Sequence, residues 1–344
     1  MGRGYSVTQD ADLDLVMELF RGIRGEEPDR ARFERLYSVN PLGPARVWVL
    51  RDPDGRAIGF TAGYPREMWV DGRICRALNC GDFSVAAEHR TLGPALTLRR
   101  PAKALVDSGE FAFLYAHPLP AMLPIHARVG HRQLGEMTRW VHPIRIERAL
   151  EGRLGPGLSR VVGLLANNVL RVRRWLRHPA GGGIAVSEAG TFCEEYDVLD
   201  RALAAEHVVI GRRDRAYLTW RFSSGERKVT VLEGRDRSGE LAGYVVLEVG
   251  RPTSRVRDLA CLRDRGAARA LLLEAVQRAA AAGSDVVDVQ ALAGFPLAPR
   301  LRRIGFWERG SGGTVVCYGG EAFWGKSLVE DPGRWFMTLG DRDV

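Results

Sequence analysis

The chain has 344 residues, 45% hydrophobic and 27% charged, which excludes wholesale disorder and favours two domains. Its net charge of +8 comes from 47 arginines and three lysines spread along the whole chain, so no defined nucleic-acid surface is expected. The polar start, the lack of any apolar run of ~18 residues and five scattered cysteines predict a cytoplasmic protein without a membrane span, a disulfide framework or a metal site.

The first half alternates between hydrophobic periods typical of strands and of helices. The predicted order is a strand at 5–8, helices at 12–24 and 29–39, strands at 46–51, 57–70 and 73–85, a helix at 93–107, a strand at 110–116, a short helix up to 129 and a closing strand. Asp71-Gly72 is a strong signal for a two-residue hairpin turn.

The segment 158–177 carries apolar residues at helical spacing on one stripe, with arginines elsewhere. A proline and three glycines follow it and predict a domain boundary. We expect an amphipathic helix that packs across two domains. The alternative is a peripheral contact with an anionic membrane surface.

The second half repeats the pattern of the first. Helices are predicted near 199–206 and 214–222, strands at 228–232, 241–249 and 254–261, a helix at 267–282, a strand at 285–290 and a helix at 296–303.

Four landmarks recur at a nearly constant spacing and indicate a duplication. The spacings are 182 for Leu50 and Leu232, 176 for Asp82 and Asp258, 174 for Gly109 and Gly283, and 175 for Gly130 and Gly305. We therefore predict an α/β (α+β) chain with an N-terminal domain at 1–148, a helical and glycine-rich linker at 149–185 and a C-terminal domain at 186–344.

The segment 80–96 carries the clearest chemical signal. A predicted strand ends at Val85, a loop with Arg90 and Gly93 follows, and a helix begins with Pro94 in its first turn. Unpaired amides and the helix dipole form an anion site at such a helix start, and Gly93 lets a phosphate approach the backbone.

Four motifs resemble the GNAT N-acetyltransferase superfamily, and in particular its bacterial tandem members. Residues 90–95 (RTLGPA) resemble the pyrophosphate loop Arg/Gln-x-x-Gly-x-Gly/Ala of that family. Residues 125–131 and 301–306 resemble its Gly-Phe signature, and 217–222 (YLTWRF) resembles an element that opens the second half of tandem proteins. The resemblance implies two GNAT-like domains, each a mixed twisted sheet flanked by helices.

The resemblance also implies a binding site for acetyl-CoA as co-substrate. The sheet would splay beside the strand that ends at Val85, and the pantetheine arm would lie along it. The implied contact residues are Phe83, Ser84, Val85, Arg90, Thr91, Leu92, Gly93, Pro94 and Ala95, although Pro94 removes one amide donor. The second half lacks the loop, so we expect catalysis in the first.

Four side chains are candidates for proton transfer, since an attacking amine must lose a proton. Asp82 lies on the key strand, Tyr115 on the next one and His117 at the end of the latter. His126 stands where the family usually has a tyrosine that protonates the leaving thiolate. A structural role is the alternative for each of them.

The resulting hypothesis is an acyl-CoA-dependent N-acyltransferase, with acetyl as the expected group and a small-molecule, sugar or lipid amine as acceptor. One alternative is an aminoacyl-tRNA-dependent transferase of the tandem-GNAT type. The other is a non-catalytic binding or scaffold protein of envelope polysaccharide assembly.

Overall fold

A computed structural model describes residues 4–9, 12–145, 183–223, 228–263, 266–320 and 331–342. The helices of these segments are α1 (Leu13–Arg24), α2 (Arg30–Phe33), α3 (Leu92–Asp107), α4 (Leu123–Arg128), α5 (Glu195–Glu206), α6 (Arg215–Phe222), α7 (Ala267–Ala281) and α8 (Ala298–Ile304). The strands are β1 (Ser6–Gln9), β2 (Arg46–Arg51), β3 (Ala57–Val70), β4 (Arg73–Val85), β5 (Phe113–Ala116), β6 (Arg132–Pro143), β7 (Ala185–Glu188), β8 (Val209–Gly211), β9 (Val229–Arg235), β10 (Leu241–Glu248), β11 (Thr253–Cys261), β12 (Val286–Leu292), β13 (Trp307–Gly319) and β14 (Trp335–Phe336).

Local sequence signals explain most of the boundaries in the first half. Asp12 caps α1 by accepting hydrogen bonds from two backbone amides, and Gly25 ends that helix in the left-handed conformation. Asp71 and Gly72, with φ of 49° and 70°, form the tight turn between β3 and β4. The predicted helix at 29–39 continues from α2 as one π-helical turn, Glu34–Ser38, which carries Tyr37.

The described strands form one mixed sheet whose order reveals the duplication. The order is β1-β2-β3-β4-β5-β13-β6-β12-β11-β10-β9-β7. The first half contributes β1 to β5 and the second half contributes β7 and β9 to β12, in mirror order. The structure therefore confirms the predicted α/β class with a mixed sheet flanked by helices, and the two halves repeat one strand order within a single continuous sheet.

The last strand of each half lies in the sheet of the other. β13 pairs with β5 from Val316–Ala116 to Gly319–Phe113, and β6 pairs with β12 along Met137 to Pro143. β13 and β6 also pair with each other across the centre of the sheet. β13 was not predicted from the sequence, because its glycine-rich stretch 310–313 and three register shifts hide the alternation of a strand.

Other predictions fall outside the described residues or remain open. The amphipathic helix predicted at 158–177 is in the undescribed part of the chain, so its packing or membrane contact stays a prediction. The domain boundaries at 148 and 186 also stay predictions. None of the helices in the described ranges has the length and apolar character needed to cross a bilayer.

The C-terminal segment packs between the two halves. Trp335 and Met337 are fully buried, and β14 pairs with β8, which in turn pairs with the end of β3. Asp341 lies in the same region, where Arg66 of β3 donates to its side chain. The segment thus links a strand of the first half to the core of the second.

Candidate active site

The sheet of the first half splays between β4 and β5. Their parallel ladder runs from Ala77–Phe113 to Cys80–Ala116, and β4 then continues to Val85 while β5 has ended. A cavity of about 860 Å³ opens at this splay, which we call the first wedge. It is bounded by the end of β4, the start of α3, the loop after β5, α4, the end of α1 and Arg342.

The start of α3 presents backbone amides to the first wedge. Thr91 occupies the cap position, but its side chain caps no amide, and Pro94 contributes none. Leu92 is 41% exposed, and a Cβ atom built on Gly93 would meet no atom within 4 Å. The Nε atom of Arg90 donates to the carbonyl of Val85 at 2.8 Å and so holds the loop against the strand end. This geometry suits a phosphate group.

The predicted binding residues do not all reach the cavity. Those of β4, the loop and the first helical turn that line it are Phe83, Ser84, Val85, Arg90, Thr91, Leu92 and Ala95. Gly93 and Pro94 are absent from the lining, although Gly93 is exposed beside it.

Asp82 lies at a bulge in β4 and is held by a cluster of donors. Its φ of 46° is unusual for a residue other than glycine, and the register with β3 shifts at this point. Tyr64 and Tyr37 donate their hydroxyl protons to Asp82 Oδ2 at 2.6 and 3.0 Å, and Arg32 donates at 3.4 Å. Arg24 Nη2 lies 3.6 Å from the other carboxylate oxygen.

Both tyrosines of this cluster remain protonated. Burial, together with the negative charge of Asp82, raises the pKa of Tyr37 and of Tyr64 well above the usual value. They act as fixed hydrogen-bond donors, and Asp82, which accepts three hydrogen bonds, is held in place at the cavity wall.

The two candidates on β5 and in the loop after it differ in their position relative to the cavity. Tyr115 is fully buried, does not line the first wedge and donates its hydroxyl proton to the carbonyl of Asp341 at 2.9 Å. His117 lines the cavity, and its Nε2 atom has no hydrogen-bond partner among the described residues. Burial and, less strongly, the positive charge of Arg342 lower the pKa of His117 to about 3, so its imidazole is neutral at pH 7.

His126 lies in α4 on the opposite wall and contacts a second histidine. Its Nδ1 atom is 2.7 Å from Nδ1 of His131, so one of the two rings donates to the other. Burial and the nearby charge of Arg99 lower the pKa of His126 to about 2 and that of His131 to about 3. Both rings are neutral at pH 7, and neither holds the acidic proton of an imidazolium.

The second half has the same splay, but the C-terminal segment fills it. The ladder between β11 and β12 stops at Val256–Val289. Beyond it, Thr338 bridges to Ala291, and the Leu292 amide donates to the carbonyl of Met337. We call this filled splay the second wedge.

The filled wedge repeats the Tyr–Asp pair of the open one. Tyr244 donates to Asp258 Oδ2 at 2.6 Å, the same distance as between Tyr64 and Asp82. The remaining donors to Asp258 are Thr338, at 2.6 Å, and Arg213, at 3.2 and 3.3 Å. Asp258 is 1% exposed, so its carboxylate is enclosed by protein groups.

Several side chains of the first wedge were not predicted from the sequence. The repeat does not mark Tyr64, because it lies opposite Asn79, three residues before Asp82, whereas Tyr244 lies opposite Ala260, two residues after Asp258. Arg99 was detectable, since it interrupts the apolar stripe of α3 between Leu98 and Ala102. Tyr37 and Arg342 come from distant elements, and no local pattern marks them.

Sequence comparisons with family models and with curated proteins give no match. Solved structures do match. A probable N-acyltransferase from Enterococcus faecalis aligns at a TM-score of 0.67 and 13% identity, over 92% of this chain and 72% of that one. A GCN5-related N-acetyltransferase from Anabaena variabilis aligns at a TM-score of 0.65 and 13% identity, over 91% and 71%.

A solved structure of a tandem protein also matches this chain. A tandem GNAT protein from the clavulanic acid biosynthesis pathway aligns at a TM-score of 0.56 and 15% identity, over 92% of this chain and 98% of that one. Identities at this level establish the fold and not the substrate. With its open and its filled wedge, the chain has the fold of the GNAT N-acetyltransferase superfamily, in tandem.

Proposed function

We propose that the protein is an acyl-CoA-dependent N-acyltransferase whose catalytic site is the first wedge. The observation that carries this proposal is the open cavity of about 860 Å³ between β4 and β5, with the uncapped start of α3 at its mouth. A chain-shaped thioester fits there, with its pyrophosphate at the amides of Leu92 and Gly93 and its pantetheine arm along 81–85. In the second wedge, the described C-terminal residues occupy the corresponding space.

The residues of the cavity suit direct attack by an amine on a thioester. The amine nitrogen bonds to the carbonyl carbon, the carbon–sulfur bond breaks with release of CoA as its thiolate, and the amine loses a proton. His117 is the proposed acceptor of that proton on the ground of its position, because it lines the cavity and its Nε2 atom has no partner among the described residues. Burial lowers its pKa to about 3, so in the ligand-free protein the imidazole is neutral and a weak base. Asp82, fixed by Tyr37 and Tyr64, would orient the amine.

The acceptor would enter from the side where α1 and the C-terminal segment border the cavity. Arg24 and Arg342 line this side together with Asp82. The Nε atom of Arg24 donates to the Ser84 hydroxyl, and Arg221 donates to the Arg342 carbonyl, which fixes both residues. We propose an amine carried by a small molecule, a sugar or a lipid.

Isothermal titration with acetyl-CoA tests the proposal. We expect saturable binding by the wild type and a loss of at least tenfold in affinity for Gly93→Glu, because the new carboxylate would face the pyrophosphate. Gly190→Glu is the matched control, since Gly190 lies in the second half and a Cβ atom added there would also meet nothing within 4 Å. At a concentration 100 times Kd, the ligand should add about 2.7 kcal/mol to the free energy of unfolding.

The two variants also separate binding from folding. Glutamate in the first turn of a helix is favourable, so Gly93→Glu should unfold at the same temperature as the wild type or slightly above it. Absence of acetyl-CoA binding by the wild type at millimolar ligand would contradict the proposal and favour the scaffold alternative.

A further inference from the structure

Arg99 is a buried cation on the wall of the first wedge. It lies in α3, is 2% exposed and lines the cavity. Its Nε and Nη1 atoms have no hydrogen-bond partner among the residues that the structure describes. The mechanism proposed above does not use it.

The described groups around Arg99 carry no negative charge. Its guanidinium contacts the thiol of Cys80 and lies 4.8 Å from the centre of the Phe83 ring. His126 and His131, which sense its charge, are neutral, and burial raises the pKa of the Cys80 thiol, which keeps that group neutral as well. No carboxylate of the described chain pairs with Arg99.

A buried guanidinium without a counterion is costly, so proteins normally pair such a group with a carboxylate or place it against an anionic ligand. The corresponding position of the second half shows that the fold does not need a cation here. Counted from the glycines that follow both helices, Gly109 and Gly283, Arg99 corresponds to Leu273, which is 1% exposed. The arginine occurs where the wedge is open and leucine where it is filled.

We infer that Arg99 binds an anionic oxygen group of the acyl-CoA, an inference that rests on the proposed function. Two sources provide such a group, the terminal carboxylate of a dicarboxylic acyl chain and the pyrophosphate. The geometry favours the carboxylate. Arg99 lies seven residues, or about 10 Å of helix, beyond Leu92, and it contacts Cys80, which belongs to the last ladder pair before the splay.

Titrations with CoA, acetyl-CoA and succinyl-CoA against the wild type, Arg99→Met and Arg99→Lys test this inference. We expect the wild type to bind succinyl-CoA most tightly, Arg99→Met to lose at least tenfold for succinyl-CoA alone, and Arg99→Lys to retain part of that affinity. A similar loss for all three ligands would support the oxyanion site with the pyrophosphate as its source. Unchanged affinities for all three would overturn the inference.

Arg100→Met is the matched control, because Arg100 is the exposed neighbour of Arg99 on the same helix. The ligand-free Arg99→Met protein should melt no lower than the wild type, since the substitution removes an uncompensated buried charge. An anion effect is therefore separable from a folding defect.

Free succinate and inorganic pyrophosphate separate this inference from the proposed function. If the wild type binds no acyl-CoA, the proposed function fails. Binding of the two free anions then tests on its own whether Arg99 forms an oxyanion site. A rise in melting temperature that Arg99→Met abolishes would support an oxyanion site, and the lack of any such rise would overturn it.

Discussion

The two wedges show that the same splay between two strands can border an open cavity or be filled by buried residues. In both, a tyrosine donates to an aspartate at 2.6 Å beside a splayed pair of strands. Tyr37, Arg24, Arg32 and the cavity complete the surroundings of Asp82, whereas the C-terminal segment and Arg213 enclose Asp258. The second half therefore lacks a cavity because the chain itself fills the splay, and not because the fold has changed.

The largest expected difference in stability is between the asparagine variants of Asp258 and Asp82. Asp258→Asn should lower the free energy of unfolding by about 3 kcal/mol, because it removes one of the two carboxylates that pair with the buried Arg213 and leaves only Asp341. Asp82→Asn should cost about 1 kcal/mol, since Arg24 and Arg32 are partly exposed and asparagine tolerates a positive φ. Urea unfolding of both variants at pH 7.5 measures the difference, and equal losses would mean that the two wedges are equally enclosed.

Alanine substitutions at two glycines, one in each wedge, are expected to change the stability by a smaller amount. A Cβ atom at Gly340 would lie 2.6 Å from Cγ of Asp258, whereas one at Gly93 would meet nothing. Gly340→Ala should therefore destabilise the protein by about 1–3 kcal/mol, and Gly93→Ala should stabilise it by up to about 1 kcal/mol. Thermal unfolding of the ligand-free variants checks this pair, and a neutral Gly340→Ala would show that the C-terminal segment can withdraw.

The effect with the smallest step, about 1.4 kcal/mol per pH unit for each histidine, concerns the histidines near the first wedge. Folding lowers the pKa of His126 from 6.5 to about 2, so below pH 6.5 the unfolded chain binds a proton that the folded chain does not. Stability should be complete above that pH and fall by about 1.4 kcal/mol per pH unit per such histidine on acidification.

Urea unfolding between pH 7 and pH 5 measures this slope. His126→Asn should reduce it by the contribution of one histidine. The control is His89→Asn, because His89 is only partly buried and bonds to the exposed Tyr5. A wild-type slope of zero would show that His117, His126, His131 and His207 all take up protons in the folded state.

Local patterns predicted the strands of the first half well. β2, β3 and β4 begin and end at the predicted residues, because alternation and the Asp71-Gly72 turn are encoded within a few positions. β13 escaped prediction because its register is interrupted by bulges and its partners lie more than 150 residues away. The exchange of β6 and β13 depends on such distant pairing and leaves no periodic signal.

The candidate site was predictable in part for the same reason. The phosphate-compatible start of α3 follows from contiguous residues, whereas the splay at the end of β4 was expected only from the resemblance to GNAT proteins. The donors to Asp82 carry no local signal, since Tyr37, Tyr64 and Arg32 converge from separate elements. Tyr115 illustrates the reverse error, because its position on β5 suggested the cavity but its hydroxyl faces Asp341.

The exchange of β6 and β13 gives the second half a structural role, although its own splay is filled. β13 borders β5 at Ala116, the residue at which the open splay begins. The later repeat thus furnishes a structural wall of the earlier one, and loss of either repeat would leave an unpaired edge in the survivor. Because β13 is synthesised almost 200 residues after β5, the leading repeat can complete its sheet only once the trailing repeat has been made.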